Sequence, residues 1–456
     1  MHKHDPPTPF AKAKEREGNR NPDSRETPRN LRSPRTSGRR RGPSSTLLWI
    51  TPLFLLSMAA AEGKRSDLRS FLAKRGVDTA EVDDQALKEL DKKYIIARDL
   101  DADTVLSKIR NVVGLRHKED SIVAYKGLSY QLPSRGLEQQ EYEPLLRQLC
   151  LRRGKVDCCT VGDPKTSRWA KAITAMLSAV QKLLLSGKRY TSHWLCYGDK
   201  LFGKRHKTVD DALLDICCLL ECTWESLNLY HASQGMVIGP VIFTREDGEV
   251  IPCRSFGSLG AYIQPEFSKI TAAPGAEVNF ILVVQGASVF DTFAMGRGHI
   301  FLREFSCVLV TGGDGQPDII TRVFLRKLKD QLSVPVYALV NPDPEGLCIF
   351  CAYKYGSPEG PFDNAGLTVP DIKWIGVHLG DALDLAIEEA LPLTKQDISI
   401  LEGLCANKYV MGDDLFRTSI HFMLYRGLKS KIEALFSRQY PPIDYIRKEI
   451  NNQENI

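Results

Sequence analysis

The sequence predicts a mixed α/β chain, in which a helix-rich module is followed by a parallel α/β domain. Apolar residues recur at helical spacing from Arg168 towards Gly235. Further along, continuous apolar runs alternate with helical stretches, as in parallel sheets whose strands are buried on both faces. The chain has 456 residues, of which 43% are hydrophobic, so it is long enough for two packed domains and too apolar to be disordered throughout.

Residues 1–57 are predicted to form a disordered, basic extension. They carry 12 basic and 5 acidic side chains, which leaves 49 basic and 51 acidic ones, a net charge of −2, for the rest. The apolar run at 47–56 resembles a signal peptide and is too short to span a bilayer, so no membrane association is expected. Three interpretations stay open: an upstream extension with translation from Met58, an organelle-targeting leader, or a basic arm that contacts DNA.

Residues 58–160 contain short helical and strand-like pieces without a chemical motif, and their structure stays open. The twelve cysteines are scattered along the chain. Pairs such as Cys158 and Cys159 are too close in sequence for ordinary disulfides, which suits a reducing compartment.

Three amphipathic helices followed by two strands are predicted between residues 161 and 265. This order is typical of a winged helix, a module that docks on DNA. The helices are predicted from Arg168 to Gly187, over 209–220 and from Thr223 towards Gly235, and the strands at 236–243 and 250–251.

The segment 275–456 predicts a parallel α/β domain. Buried strands are expected at 280–284, 307–311 and 334–340, with a helix over 318–332. In open sheets of this type the chemistry gathers at the carboxyl ends of the strands. Those ends are Gln285, residues 312–315 and residues 341–343.

Several short motifs occur in this half of the chain: N-P-D-P-E-G at 341–346, Y-K-Y-G-S at 353–357, G-Q-P-D-I-I-T-R at 315–322, K-W-I-G at 373–376 and K-I-E-A-L at 431–435. They resemble those of the protein family formed by the topoisomerase VI A subunit with its meiotic double-strand-break relatives. The resemblance covers roughly Trp169 to Leu435. It implies a winged-helix domain with a nucleophilic tyrosine, joined to a Toprim-type α/β domain that holds Mg²⁺.

The resemblance implies that Tyr197 is the nucleophile. The family motif R-[DE]-[LI]-[FY]-Y is matched by H-W-L-C-Y at 193–197, with the tyrosine and the leucine two residues before it retained. An ungapped alignment would place Cys196 there instead. His193 stands where the family has arginine and could hydrogen-bond a phosphate. A tyrosine hydroxyl at this position would attack a phosphodiester and give a 5′-phosphotyrosyl link.

Cations on both sides of Tyr197 are predicted to contact DNA phosphates. A solvated charged surface is the alternative interpretation. The predicted contacts are Lys188, Arg189, Lys204, Arg205 and Lys207.

The resemblance also implies a metal site, but with fewer charges than in the family. The family has a glutamate and two aspartates. The matching positions here hold Gln285, Asn341 and Asp343, so one carboxylate is kept and the formal ligand charge falls from −3 to −1. Two unit charges about 4 Å apart interact by about 4 kcal/mol at an effective dielectric constant of about 20. We therefore expect a weak Mg²⁺ site, with Asp314 or Glu345 as possible additional ligands.

Two functions follow as expectations. In the first, the chain is a nuclear DNA transesterase that makes double-strand breaks in meiotic recombination. It would act as a homodimer, or as a heterodimer with a related A subunit, together with a topoisomerase VI B-like ATPase. In the second, it is a catalytically weak or inactive relative that binds DNA or a partner. An unrelated nucleotide-binding protein is a third alternative. The chain has no GxxxxGK[ST] loop, so ATP is expected only through a partner.

Overall fold

The computed structural model describes residues 68–77, 79–80, 82–117, 120–191, 206–231, 233–245, 247–254, 260–265, 267–294, 298–436 and 442–454. All of them belong to one unit of the chain, Met58–Ile456. No helix within these ranges is long and apolar enough to cross a membrane. The predicted extension at 1–57 lies outside the described residues.

The described residues form helices and strands in alternation. The helices are α1 Leu68–Lys74, α2 Asp84–Lys93, α3 Ala102–Val113, α4 Ser167–Ser186, α5 His206–Leu220, α6 Ala287–Ala294, α7 Gly298–Phe305, α8 Ile319–Leu332, α9 Pro344–Lys354, α10 Leu379–Ala386, α11 Lys395–Cys405, α12 Lys408–Met411, α13 Asp414–Arg426 and α14 Pro442–Glu454. The strands are β1 Tyr94–Ile95, β2 Ser129–Pro133, β3 Gln140–Glu143, β4 Gln148–Arg152, β5 Val156–Thr160, β6 Tyr190–Thr191, β7 Leu229–Tyr230, β8 Met236–Ile238, β9 Val241–Arg245, β10 Val250–Pro252, β11 Ala261–Tyr262, β12 Phe267–Ala272, β13 Ile281–Val284, β14 Val308–Thr311, β15 Val336–Leu339, β16 Lys373–Gly376, β17 Leu391–Pro392 and β18 Leu428–Lys429.

The helices α3, α4 and α5 share one core with the antiparallel strands β2 and β5. The apolar stripe of α4 faces this core, as its spacing predicts, and Ile173 and Leu177 are fully buried. Gly187 ends α4 in the left-handed region, at φ 64°, where glycine meets no steric penalty. The first two predicted helices are therefore present.

The third predicted helix is wrong beyond its first turn. Only Glu225–Leu227 are helical, as a short 3₁₀ turn. Asn228 follows in the left-handed region at φ 56°, which stops the helix. The chain then continues as β7, which pairs in parallel with β6.

The two strands that are predicted to follow these helices are present. They pack in the second half of the fold and not against the three helices. The first one is divided between Ile238 and Val241. Glycine is needed at position 239 in this break, because a Cβ atom there would lie 2.9 Å from the Val308 Cα atom. Before it, β8 joins the large sheet beside β14. After it, β9 pairs with β10 and β12, and Phe243 packs against Phe324 of α8 rather than in the core of the preceding helices.

A six-stranded sheet lies at the centre of the second half, in the order β11-β8-β14-β13-β15-β16. The strands β14, β13, β15 and β16 are parallel, which confirms the predicted parallel α/β fold. Helices cover both faces: Val283 belongs to the core that includes α8, α9 and α13, and Leu282 belongs to the core that includes α6, α10 and α14. Burial on both faces explains the continuous apolar strands.

Candidate functional site at the carboxyl edge of the sheet

A hydrogen bond joins the ends of two neighbouring parallel strands. Gln285 follows β13, and its backbone N–H continues the ladder to the Leu339 carbonyl. Its side chain is buried, and its Oε1 atom accepts a hydrogen bond from the Asn341 backbone N–H at 2.8 Å. The structure thus brings Gln285 and Asn341 together, as their positions at the ends of parallel strands predict.

Asp343 begins the helix that follows β15. Its Oδ1 atom accepts from the Gly346 N–H at 2.6 Å, which is an N-terminal cap of α9. Burial raises the pKa of Asp343 above its usual value, although the Gly346 N–H and the Lys429 ammonium favour the carboxylate. A Cβ atom at Gly346 would lie 2.2 Å from the Asn341 carbonyl oxygen, so the motif glycine permits this close approach.

A third element contacts this edge, and the sequence does not predict that contact. The segment 428–433 places the Ser430 N–H 3.2 Å from the Pro342 carbonyl oxygen. The Ile432 N–H donates to Asn341 Oδ1 at 3.0 Å. Both donors are backbone groups, which leave no side-chain pattern in the sequence. The K-I-E-A-L match at 431–435 is the one sequence signal for this element.

These residues do not fit a site with three carboxylate ligands for a divalent cation. One carboxylate, that of Asp343, stands at the three positions, and the oxygens Gln285 Oε1 and Asn341 Oδ1 already accept backbone hydrogen bonds. Asp314 is exposed and accepts from the Ala287 N–H at 2.8 Å, while Glu345 is exposed in the first turn of α9. Within the described part of the chain, no three His, Cys, Asp or Glu side chains are grouped to hold a metal.

The predicted nucleophile and part of the predicted DNA surface lie outside the described residues. These are His193, Tyr197, Lys204 and Arg205. In the described residues, β6 ends just before this segment and α5 begins just after it. The three predicted contacts within the structure are Lys188, Arg189 and Lys207, and all three are exposed. Their role in DNA binding stays a prediction.

Two of the matched motifs have structural roles in this fold. Arg322, at the end of G-Q-P-D-I-I-T-R, is buried, and burial lowers its pKa to about 10. Asp318 of the same motif caps α8 by accepting from the Thr321 N–H at 2.9 Å. In Y-K-Y-G-S, the ring of Tyr355 packs edge-on against Tyr142 and Tyr409. These residues therefore stabilise the framework around the site.

Known proteins are similar to this chain over most of its length. The family model described as topoisomerase 6 A-subunit/Spo11, Toprim domain, matches residues 280–450. The chain is 34% identical over 368 residues to the DNA topoisomerase 6 A3 subunit of Oryza sativa subsp. indica, covering 80% of this chain and 81% of the relative. It is 34% identical over 340 residues to the DNA topoisomerase 6 A subunit of Arabidopsis thaliana, covering 73% of this chain and 78% of the relative. It is 32% identical over 276 residues to meiotic recombination protein SPO11 of Homo sapiens, covering 60% of this chain and 68% of the relative.

Proposed function

Because this chain belongs to the topoisomerase 6 A-subunit/Spo11 family, we propose that it is a DNA transesterase that breaks both strands of a duplex. Tyr197 is the proposed nucleophile, and each protomer of a dimer cuts one strand. The hydroxyl oxygen of Tyr197 attacks a phosphodiester and forms a 5′-phosphotyrosyl bond, while the bond from phosphorus to the 3′ oxygen breaks. The 3′ oxygen leaves as a hydroxyl group, so overall it takes up a proton as Tyr197 loses one. The energy of the broken ester is retained in the new one, so religation is possible.

The observation that carries this proposal is the juxtaposition at the carboxyl edge of the parallel sheet. Gln285, Asn341 and Asp343 come together there, at the positions that the family resemblance assigns to its metal ligands. In this chain Asp343 is the one carboxylate of the set, so a divalent cation such as Mg²⁺ is expected to bind only weakly there.

The residues of this chain have separate proposed tasks. Lys188, Arg189 and Lys207 position the DNA backbone, together with Lys204 and Arg205. His193 hydrogen-bonds the scissile phosphate in place of an arginine. A tyrosine has an ordinary pKa of about 10, so Tyr197 must lose its proton during the attack rather than before it.

The proposed setting is the nucleus, in meiotic recombination, with a topoisomerase VI B-like ATPase as partner. The similarity to a meiotic recombination protein supports this setting. The similarity to topoisomerase 6 subunits extends over more of the chain and supports a role in ordinary growth. Counting chromosomal breaks in meiotic cells that lack the protein, beside the growth rate of dividing cells, separates the two roles.

A second candidate function is favoured by the hydrogen-bonded amides of Gln285 and Asn341. A chain with one carboxylate in the set could serve as a DNA-binding or partner-binding subunit that cuts weakly or not at all. The test incubates the chain with a B-type partner and an end-labelled duplex, then counts breaks that carry covalent protein. Breaks that disappear with Tyr197→Phe, but persist with the exposed Tyr425→Phe as control, support the transesterase. DNA binding without any breaks, at every Mg²⁺ concentration, supports the second candidate.

A further inference from the structure

We propose that Gln285, Asn341 and Asp343, with the backbone N–H groups of Gly346 and Ile432, hold the carboxyl edge of the sheet together without a divalent cation. We name this set the strand-end network. It replaces, in this chain, the ion-dependent arrangement that the family resemblance implies. The inference concerns the conformation of the site, whether or not the chain cuts DNA.

The side chain of Asn341 provides both a donor and an acceptor, which a carboxylate cannot do. Its Oδ1 atom accepts from the Ile432 N–H at 3.0 Å. Its amide also hydrogen-bonds the Asp343 side chain. An aspartate at 341 would keep the acceptor but place a second negative charge beside Asp343. Without a cation, that pair of charges repels.

Gln285 serves the same arrangement from the neighbouring strand. Its side chain is 7% exposed, and its Oε1 atom is hydrogen-bonded to the Asn341 N–H. Burying a neutral amide that has a hydrogen-bond partner costs little free energy, whereas a buried carboxylate needs a compensating positive charge. The two amides therefore suit a site in which no ion supplies that charge.

Further protein groups hold the segment 428–433 in place. The Lys429 ammonium donates to Asp397 Oδ2 at 2.7 Å, and Asp397 in turn accepts from the Thr394 N–H at 2.8 Å. Together with the Ser430 N–H bond to the Pro342 carbonyl, these contacts connect the loop after β15 to the start of α11. Each of these bonds is made between protein atoms.

The test measures the thermal midpoint in EDTA and in MgCl₂ at matched ionic strength. The natural chain is expected to unfold at the same temperature in both, within about 1 °C, because an ion stabilises only the state that binds it. Asn341→Asp is expected to unfold earlier in EDTA and to recover by about 2 °C or more in MgCl₂. Asn279→Asp is the matched control, since this exposed amide at the opposite edge of the sheet donates to the Phe305 carbonyl at 3.0 Å; it should not respond to Mg²⁺.

Two results would overturn the inference: a midpoint of the natural chain that rises with Mg²⁺ as much as that of Asn341→Asp, or an Asn341→Asp protein indifferent to EDTA and Mg²⁺. If Asn341→Asp does not fold, Gln285→Glu takes its place with the same expectation. Titration calorimetry of the natural chain with MgCl₂ alone adds a direct reading, and tight binding there would also contradict the inference. All of these readouts are independent of DNA cleavage.

Discussion

The guanidinium group of Arg322 donates a hydrogen bond to Asn364 Oδ1 at 3.1 Å, and the two side chains are only 2% and 1% exposed. Asn364 in turn donates from Nδ2 to the Leu149 carbonyl oxygen at 3.1 Å. One amide therefore connects helix α8 of the large sheet with strand β4 of the preceding part. The arginine of the motif at 315–322 acts here through packing and hydrogen bonding.

Asn364→Ala should destabilise the protein by about 1–3 kcal/mol, because it leaves the buried Arg322 donor and the Leu149 carbonyl without their partner. Unfolding by urea measures this change. Asn279→Ala removes an exposed amide from the same half of the chain and serves as the control. Equal stability of the Asn364→Ala and natural proteins would contradict the structural role assigned to Arg322 and Asn364.

Asp363 should make stability depend on pH. Its side chain is buried, and burial raises its pKa to about 7, partly offset by Arg75 and Arg322 and reinforced by Glu225 and Asp99. Between about pH 4 and 7 the folded state keeps a proton that the unfolded state releases, so this residue makes stability fall as pH rises, by up to about 1.4 kcal/mol per pH unit.

The corresponding variant is Asp363→Asn, which keeps the shape and removes the titration. Urea midpoints measured from pH 4 to 7 should show a smaller loss of stability with rising pH than in the natural protein. Parallel curves for the two proteins would show that Asp363 does not hold its proton in the folded state.

The three exposed cations that lie close to Tyr197 in the sequence, Lys188, Arg189 and Lys207, should govern non-specific DNA affinity. Replacing Lys188, Arg189 and Lys207 by Ala should make the slope of log K against log salt less negative by about 2–3, since each phosphate contact contributes about 0.9. Fluorescence anisotropy of a labelled duplex over a salt series measures the slope. Replacing the exposed Lys126, Lys269 and Lys408, which lie on other elements, should leave it unchanged. A slope that changes equally in both triple variants would assign the three cations to a solvated surface.

The sequence predicts the centre of this fold better than its edges. Strands such as β13 are buried on both faces, so their composition alone identifies them. The sequence pattern predicts a single strand where the structure has two, β8 and β9. The break between them includes Gly239, whose backbone lies close to that of Val308, and a single sequence does not display this contact. Likewise, the third helix fails at Asn228, since a single left-handed residue ends it.

The candidate site is predictable only as far as side chains define it. Gln285, Asn341 and Asp343 follow predicted strands, so their proximity could be expected. Their side-chain oxygens accept from the backbone N–H groups of Asn341, Gly346 and Ile432, and any residue type except proline supplies such a group. The sequence therefore does not reveal the hydrogen bonds at this edge of the sheet.

The central claim, that this chain cuts DNA through Tyr197, is tested most directly by identifying the residue that becomes attached to DNA. The chain is incubated with a B-type partner, Mg²⁺ and a duplex, the DNA is digested to a nucleotide remnant, and the modified peptide is sequenced by mass spectrometry. We expect the remnant on Tyr197, linked through a 5′ phosphate. A remnant on Cys196 or on another residue would contradict the claim, as would an unmodified peptide in a reaction that has produced breaks.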